Sequence, residues 1–212
     1  KTKQMSYLTV EEMMKLIGVI DKSNKYGYRD YMIILLMYES AIRVSELINV
    51  RLIDFRFSKP YSIKIVGKGN KQRYVPLSEQ FIEKIQEYVL SLNNKKLETD
   101  FLFTNHSNNK LTRAGVSHIL NKYVTIARKN NPSLFKENVT PHSLRHTKAM
   151  HLLQDDVNLI YIRDILGHSS IQTTEIYARA DSARLRQAIE KSYKELSTET
   201  KCKWQEEEII NW

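Results

Sequence analysis

The chain has 212 residues, with 33 Lys+Arg against 24 Asp+Glu and a net charge of +9. That length allows one sizeable domain or two small ones, and that charge points to a polyanionic partner, most often nucleic acid. A single cysteine, Cys202, excludes an internal disulfide and fits a reducing cytosol, and the longest apolar run, 32–37, is far too short to span a membrane.

The charge is uneven. Residues 196–212 balance to −2, so residues 1–195 carry +11. A solvated, lysine-rich surface would give the same composition, so charge alone leaves that alternative open. No secretory signal is recognisable.

In chain order, "YLTVEEMMKLIGVI" opens with Thr9 as an N-cap and Glu12 three residues on, a capping box. Leu16, Ile17 and Ile20 then form an apolar stripe. Residues 28–39 read as a buried helix and 43–50 as a short one. The pattern changes at "SIKIVGKGNKQRYVPL" (62–77), where alternation on both sides of a Gly-rich turn predicts a β-hairpin. Residues 51–57 add a third strand. Beyond Pro76 the helical period returns, with helices expected near 78–92, 112–129, 142–154, 158–165 and 181–195. Residues 91–100 and 127–140 read as surface connections. The expected fold class is α+β, mainly α-helical, with one small three-stranded antiparallel sheet.

Four stretches could carry chemistry. In "TPHSLRHT", Thr140 suits a cap and Pro141 the first helical position, and His142 and Arg145 share a face at i, i+3. A helix N-terminus favours an anion; a guanidinium and an imidazole beside it suit a phosphodiester. Spacing alone leaves a phosphate site and plain helix surface both open. A metal held by His142 and His146 is disfavoured, since Arg145 would set positive charge beside a cation and no cysteine lies nearby. His146 and His151 read as structural. In "ILGHSSIQTTEIYA", Gly167 suits a helix C-cap, His168 follows it, and Tyr177 lies nine residues beyond. A tyrosine titrates near ~10 and becomes a usable nucleophile only among cations; packing in the core is the plainer role for Tyr177 taken alone. In "SAIRVSELINV", Arg43 needs a partner, which either a phosphate or Glu46 at i+3 would supply. In "VGKGNKQRYV", Lys68 sits at the hairpin tip, with Lys71 and Arg73 as further candidate DNA contacts; the spacing is not that of a nucleotide-binding P-loop.

Each stretch is weak alone, but their order is specific. "AIRVSEL", a lysine on a β-hairpin, "HSLRH", "LGHSS" and a tyrosine nine residues on closely resemble the catalytic domain of the tyrosine recombinases, the phage integrase family. The resemblance runs from about Leu8 to about Ala188. "HLLQDDVNLIYIRDILGHSSIQTTEIYARAD" is most similar to integrases of bacterial mobile elements, including transposons.

The resemblance implies a catalytic set of Arg43, Lys68, His142, Arg145, His168 and Tyr177. It implies cleavage and rejoining of double-stranded DNA through a 3′-phosphotyrosyl link, with no metal, ATP or other cofactor. It also implies a dimer on each site, a tetramer in the synapse, and a cytoplasmic, nucleoid-associated bacterial enzyme acting in integration or excision. The catalytic domain is expected over 1–195. A tail at 196–212 carries Trp204, Ile209, Ile210 and Trp212; docking on a neighbouring subunit is expected in the DNA-bound assembly and packing back on its own domain in a free monomer, and the residues leave both open. The family's N-terminal core-binding domain is not evident, so a catalytic fragment is expected. A type IB topoisomerase would share the tyrosine chemistry, and a basic DNA-binding regulator would share the charge. The six-residue set disfavours the regulator; the "LGHSS…TTEIY" spacing and the tail disfavour the topoisomerase.

Overall fold

In the computed structural model, which describes residues 7–92, 97–135 and 138–168 (Lys68 as backbone only), Thr9 caps the first helix as its spacing predicts. Its side chain accepts from Glu12 N–H, and the Glu12 carboxylate accepts from Thr9 N–H at 2.8 Å. Helix α1 (Val10–Gly18) presents Met13 and Leu16 inward. Helix α2 (Lys25–Ser40) is the axis of the fold. Met32, Ile33, Ile34 and Leu36 are fully buried, on all sides of the helix, because α1, α4, α5 and α6 all pack against it. Ala41 ends α2 in the left-handed conformation, at φ 48°.

Helix α3 (Val44–Leu47) follows at once, then a 3-10 turn at Leu52–Asp54. The sheet has the order β1-β2-β3, all antiparallel. β2 (Ser62–Val66) and β3 (Gln72–Pro76) form the expected hairpin, with Ile63 opposite Val75 and Ile65 opposite Arg73. The third strand is shorter than the 51–57 expected: β1 is Phe55–Arg56 only. The Asp54 carboxylate accepts from Arg51 N–H at 2.9 Å, and that bond winds the preceding residues into a turn. The hairpin tip turns through Gly69 (φ 70°) and Asn70 (φ 58°) and closes with Gly67 N–H donating to the Lys71 carbonyl at 2.8 Å.

Four more helices complete the described fold: α4 (Glu79–Ser91), α5 (Arg113–Asn130), α6 (Pro141–Gln154) and α7 (Leu159–Leu166). The connection expected at 127–140 is not merely surface. Helix α5 continues to Asn130, and Phe135 and Val139 are buried in the main core. The Phe135 N–H donates to Glu12 Oε1 at 2.7 Å, tying this loop to the first helix. A second, smaller cluster, Ala41, Ala149, Met150, Ile162 and Leu166, packs α7 and the end of α2 on α6. The architecture is therefore mainly helical with a small three-stranded antiparallel sheet, as expected. The helix expected at 181–195 and the tail lie outside the described residues. Among the described residues no helix is long and apolar enough to cross a membrane.

Candidate active site

Three helix ends meet at one point. The α2 C-terminus delivers Ala41 and then Arg43, which is the N-cap residue of α3. The α6 N-terminus delivers His142 and Arg145, and the α7 C-terminus delivers Gly167 and His168. Gly167 adopts φ 60°, the left-handed cap that stops α7, and the next residue, His168, lies within the electrostatic reach of Arg145 and His142 on α6.

Arg145 is buried, at 2% exposure. It donates to the Ala41 carbonyl at 2.7 Å and to the Leu166 carbonyl. Both carbonyls belong to helix C-terminal turns, whose acceptors have no partner within the helix and which carry the negative end of the dipole. The guanidinium therefore satisfies two helix ends while they fix its plane. At the front of α6, Thr140 Oγ1 accepts from Ser143 N–H, so the cap itself, not an anion, takes that donor.

Arg43 is the more open arginine, its side chain 42% exposed, and it donates to Glu46 Oε1 at 3.2 Å. Glu46 is a hub: it also accepts from Arg43 N–H, and both its oxygens accept from Arg73, each at 2.9 Å. Burial pushes the Glu46 carboxyl up, but the Arg73 and Arg43 donors outweigh it and hold it below the usual range. Arg73 also donates from Nε to the Ile165 carbonyl at 3.0 Å. Expected at the DNA, Arg73 instead spends its guanidinium inside the protein. Lys71 is exposed beside the hairpin tip, where a DNA contact is open to it.

The histidines sit in this positive field. Burial lowers the His168 pKa to about 4, reinforced by Arg145, Arg43, Arg73 and His142. His142, the exposed member, is lowered by its packing and then by Arg145 and Arg43. His146 is brought down to about 4 by burial, with His142, Arg145 and His168 adding to it. Its ring meets His142 edge-on, centroids 4.1 Å apart. Near neutral pH the imidazoles are thus uncharged, able to donate from one nitrogen and accept at the other.

Four of the six expected catalytic residues, Arg43, His142, Arg145 and His168, are therefore brought together. Lys68 is placed by its backbone at the hairpin tip, and Tyr177 lies outside the described residues. His146, read as structural, packs its ring against His142 and so supports the cluster from behind. One organising residue was not singled out. Glu46, considered only as an alternative to phosphate for Arg43, organises two arginines. Among the described residues no group of three or more His, Cys, Asp or Glu side chains converges as a metal site would need.

A sequence model of the phage integrase family matches residues 6–184. The chain belongs to that family. Among relatives of this phage integrase domain, tyrosine recombinase XerD of Staphylococcus haemolyticus is 36% identical over 183 residues, covering 85% of this chain and 60% of the relative. Tyrosine recombinase XerA of Pyrococcus horikoshii is 35% identical over 185 residues, 87% of this chain and 60% of the relative. The chain thus spans about 60% of the length of these relatives. Among solved structures, XerH site-specific recombinase bound to palindromic difH substrate, a post-cleavage complex, superposes with a TM-score of 0.75 at 31% identity, covering 88% of this chain and 53% of that one. The Tn1549 transposon integrase with transposon right-end DNA shares the fold, with a TM-score of 0.71 at 21% identity over 88% of this chain and 67% of that one.

Proposed function

We propose that the chain carries the catalytic machinery of a site-specific DNA recombinase that cuts and rejoins double-stranded DNA through a 3′-phosphotyrosyl intermediate. The observation that supports it most is the meeting of Arg43 and Arg145 with His142 and His168 at three helix ends, with the histidines neutral among cations. Such a cluster suits one anionic phosphodiester better than it suits its own unliganded state. The relatives named as tyrosine recombinases support the same reading.

The chemistry follows from charge. The Tyr177 oxygen attacks the scissile phosphorus and displaces the 5′-oxygen, forming the P–O(Tyr) bond as the P–O5′ bond breaks. His142 accepts the tyrosine proton or hydrogen-bonds the phosphate, and Lys68 protonates the departing 5′-oxygen. Negative charge grows on the non-bridging oxygens in the transition state. Arg43 and Arg145 clamp it, and His168 donates a hydrogen bond. Arg145 enters this role already oriented by two carbonyls, so little reorganisation remains when charge develops. A 5′-hydroxyl from another strand then attacks the phosphotyrosine and reverses the steps. The bond energy stays in the intermediate, so no ATP is consumed, and the arginines take the part that a metal plays in other phosphoryl-transfer sites. Lys71 contributes a phosphate contact outside the cleavage point.

In the full protein we place this domain in a dimer on each DNA site and a tetramer in the synapse, serving a mobile element. The test is incubation of full-length protein with DNA carrying two sites. Recombinant product supports the reading; relaxation without recombinants would instead make the protein a topoisomerase.

A further inference from the structure

Arg73 belongs to none of the steps above, yet it contacts the elements that carry three of the catalytic residues. It lies on β3, the strand that leaves the hairpin tip where Lys68 sits. Its two terminal nitrogens grip both oxygens of Glu46, whose backbone and side-chain partner is Arg43. Its Nε holds the Ile165 carbonyl in the last turn of α7, three residues before His168. Its side chain is only 13% exposed, and the fit is close enough that a Cβ built on Gly167 would come within 2.9 Å of Arg73 Cδ. Gly167 is therefore required twice, for its left-handed backbone and for the space Arg73 occupies.

Resting on the recombinase reading, we infer that Arg73 is a positioning residue: it locks the lysine hairpin, Arg43 and the His168 turn into one frame. The planar fork explains the residue type. Three of its five N–H donors are committed in two directions, two to a carboxylate and one to a carbonyl. A lysine ammonium could reach one partner as a point charge but could not hold both geometries. The frame matters because misplacing catalytic groups by about 1 Å costs roughly a hundredfold in rate. The same guanidinium adds to the positive field on His168, alongside Arg145, Arg43 and His142.

The experiment compares full-length wild type, Arg73→Lys and Arg73→Ala on a nicked suicide DNA substrate, with single-turnover cleavage at saturating DNA, DNA affinity, thermal melting and the His168 titration by NMR. Arg73→Lys is expected to cleave roughly ten- to a hundredfold more slowly with DNA affinity within about threefold of wild type. Its His168 titration should stay near the wild-type position, because the charge is kept. Arg73→Ala is expected to be at least as slow and to move the His168 titration to higher pH, because a cation is gone and Glu46 is less neutralised. If Arg73→Ala does not fold, Arg73→Lys decides alone. A well-folded Arg73→Lys cleaving at the wild-type rate would overturn the inference, as would a loss confined to DNA affinity, which would return Arg73 to an ordinary DNA contact. Absence of cleavage by wild type would instead fail the recombinase reading.

Discussion

The two ends of helix α6 carry histidines in opposite circumstances. At the C-terminal end, His151 is 6% exposed and uses both ring nitrogens. Its Nε2 donates to the Leu8 carbonyl at 2.9 Å, which leaves Nδ1 to accept from the Tyr38 hydroxyl at 2.8 Å. At the N-terminal end, His142 is exposed and stands among arginines. Burial lowers the pKa of both, so a depressed pKa does not separate structure from site. Saturated hydrogen bonding to the protein marks the structural end; at the other end the exposed His142 ring lies in the field of two arginines, Arg145 and Arg43, which is the arrangement a phosphate ligand would use. Arg145, one turn in from His142, belongs to both descriptions, since it satisfies two helix termini and faces the cluster.

The largest effect should come from Arg145. Arg145→Ala is expected to lower strand cleavage by roughly a thousandfold, about 4 kcal/mol, because a preorganised charge facing the transition state is lost. DNA affinity should fall far less, since the contact strengthens only as charge develops. Equal losses in cleavage and affinity, measured by single-turnover kinetics and equilibrium binding, would reduce it to an ordinary phosphate contact.

At the other end, His151→Leu should cost about 1–3 kcal/mol of folding stability by leaving the Tyr38 hydroxyl and the Leu8 carbonyl without their partner. Cleavage per folded molecule should be unchanged. Denaturant unfolding and active-site titration check both halves; a fully stable but inactive variant would erase the distinction between the two ends.

A smaller effect concerns pH. The folded-state values of His168 and His146, about 4, lie below the unfolded value of ~6.5. Between those limits the unfolded chain binds more protons, so stability is intact above about 6.5 and declines as pH falls toward 4. Melting temperature should therefore drop over that window. Inorganic phosphate sharpens the comparison: it should raise the NMR titration of His142 and His168 and leave that of His151 in place. A shift of His151 as large as that of His168 would contradict the assignment of a ligand site to one end only.

Much of this was legible in the sequence because local rules sufficed. Thr9 and Glu12, Thr140 and Pro141, and Gly167 marked helix ends by capping chemistry, and the hairpin followed from alternation around Gly67–Asn70. The meeting of Arg43, His142, Arg145 and His168 was not local; it came from the order of motifs, since spacing within any one stretch left surface and site equally open. The length of β1 was misjudged because a single Asp54 side-chain bond competes with the ladder. Arg73 carried a signal that was overlooked. Val75 is buried and lies two residues on, so a period of two puts Arg73 on the inner face and Tyr74, 67% exposed, on the outer one. Glu46 could not have been identified as a hub, because its second arginine arrives from 27 residues away.

The central claim is that Tyr177 becomes covalently joined to DNA at the cluster formed by Arg43, His142, Arg145 and His168. The most direct measurement is trapping on a suicide substrate nicked near the cleavage site, with full-length wild type and Tyr177→Phe compared under denaturing conditions and the adduct mapped by peptide mass spectrometry. A covalent adduct on the Tyr177 peptide with wild type, and none with Tyr177→Phe, is the predicted result. Equal adduct formation by Tyr177→Phe, or an adduct mapped to another residue, would contradict it.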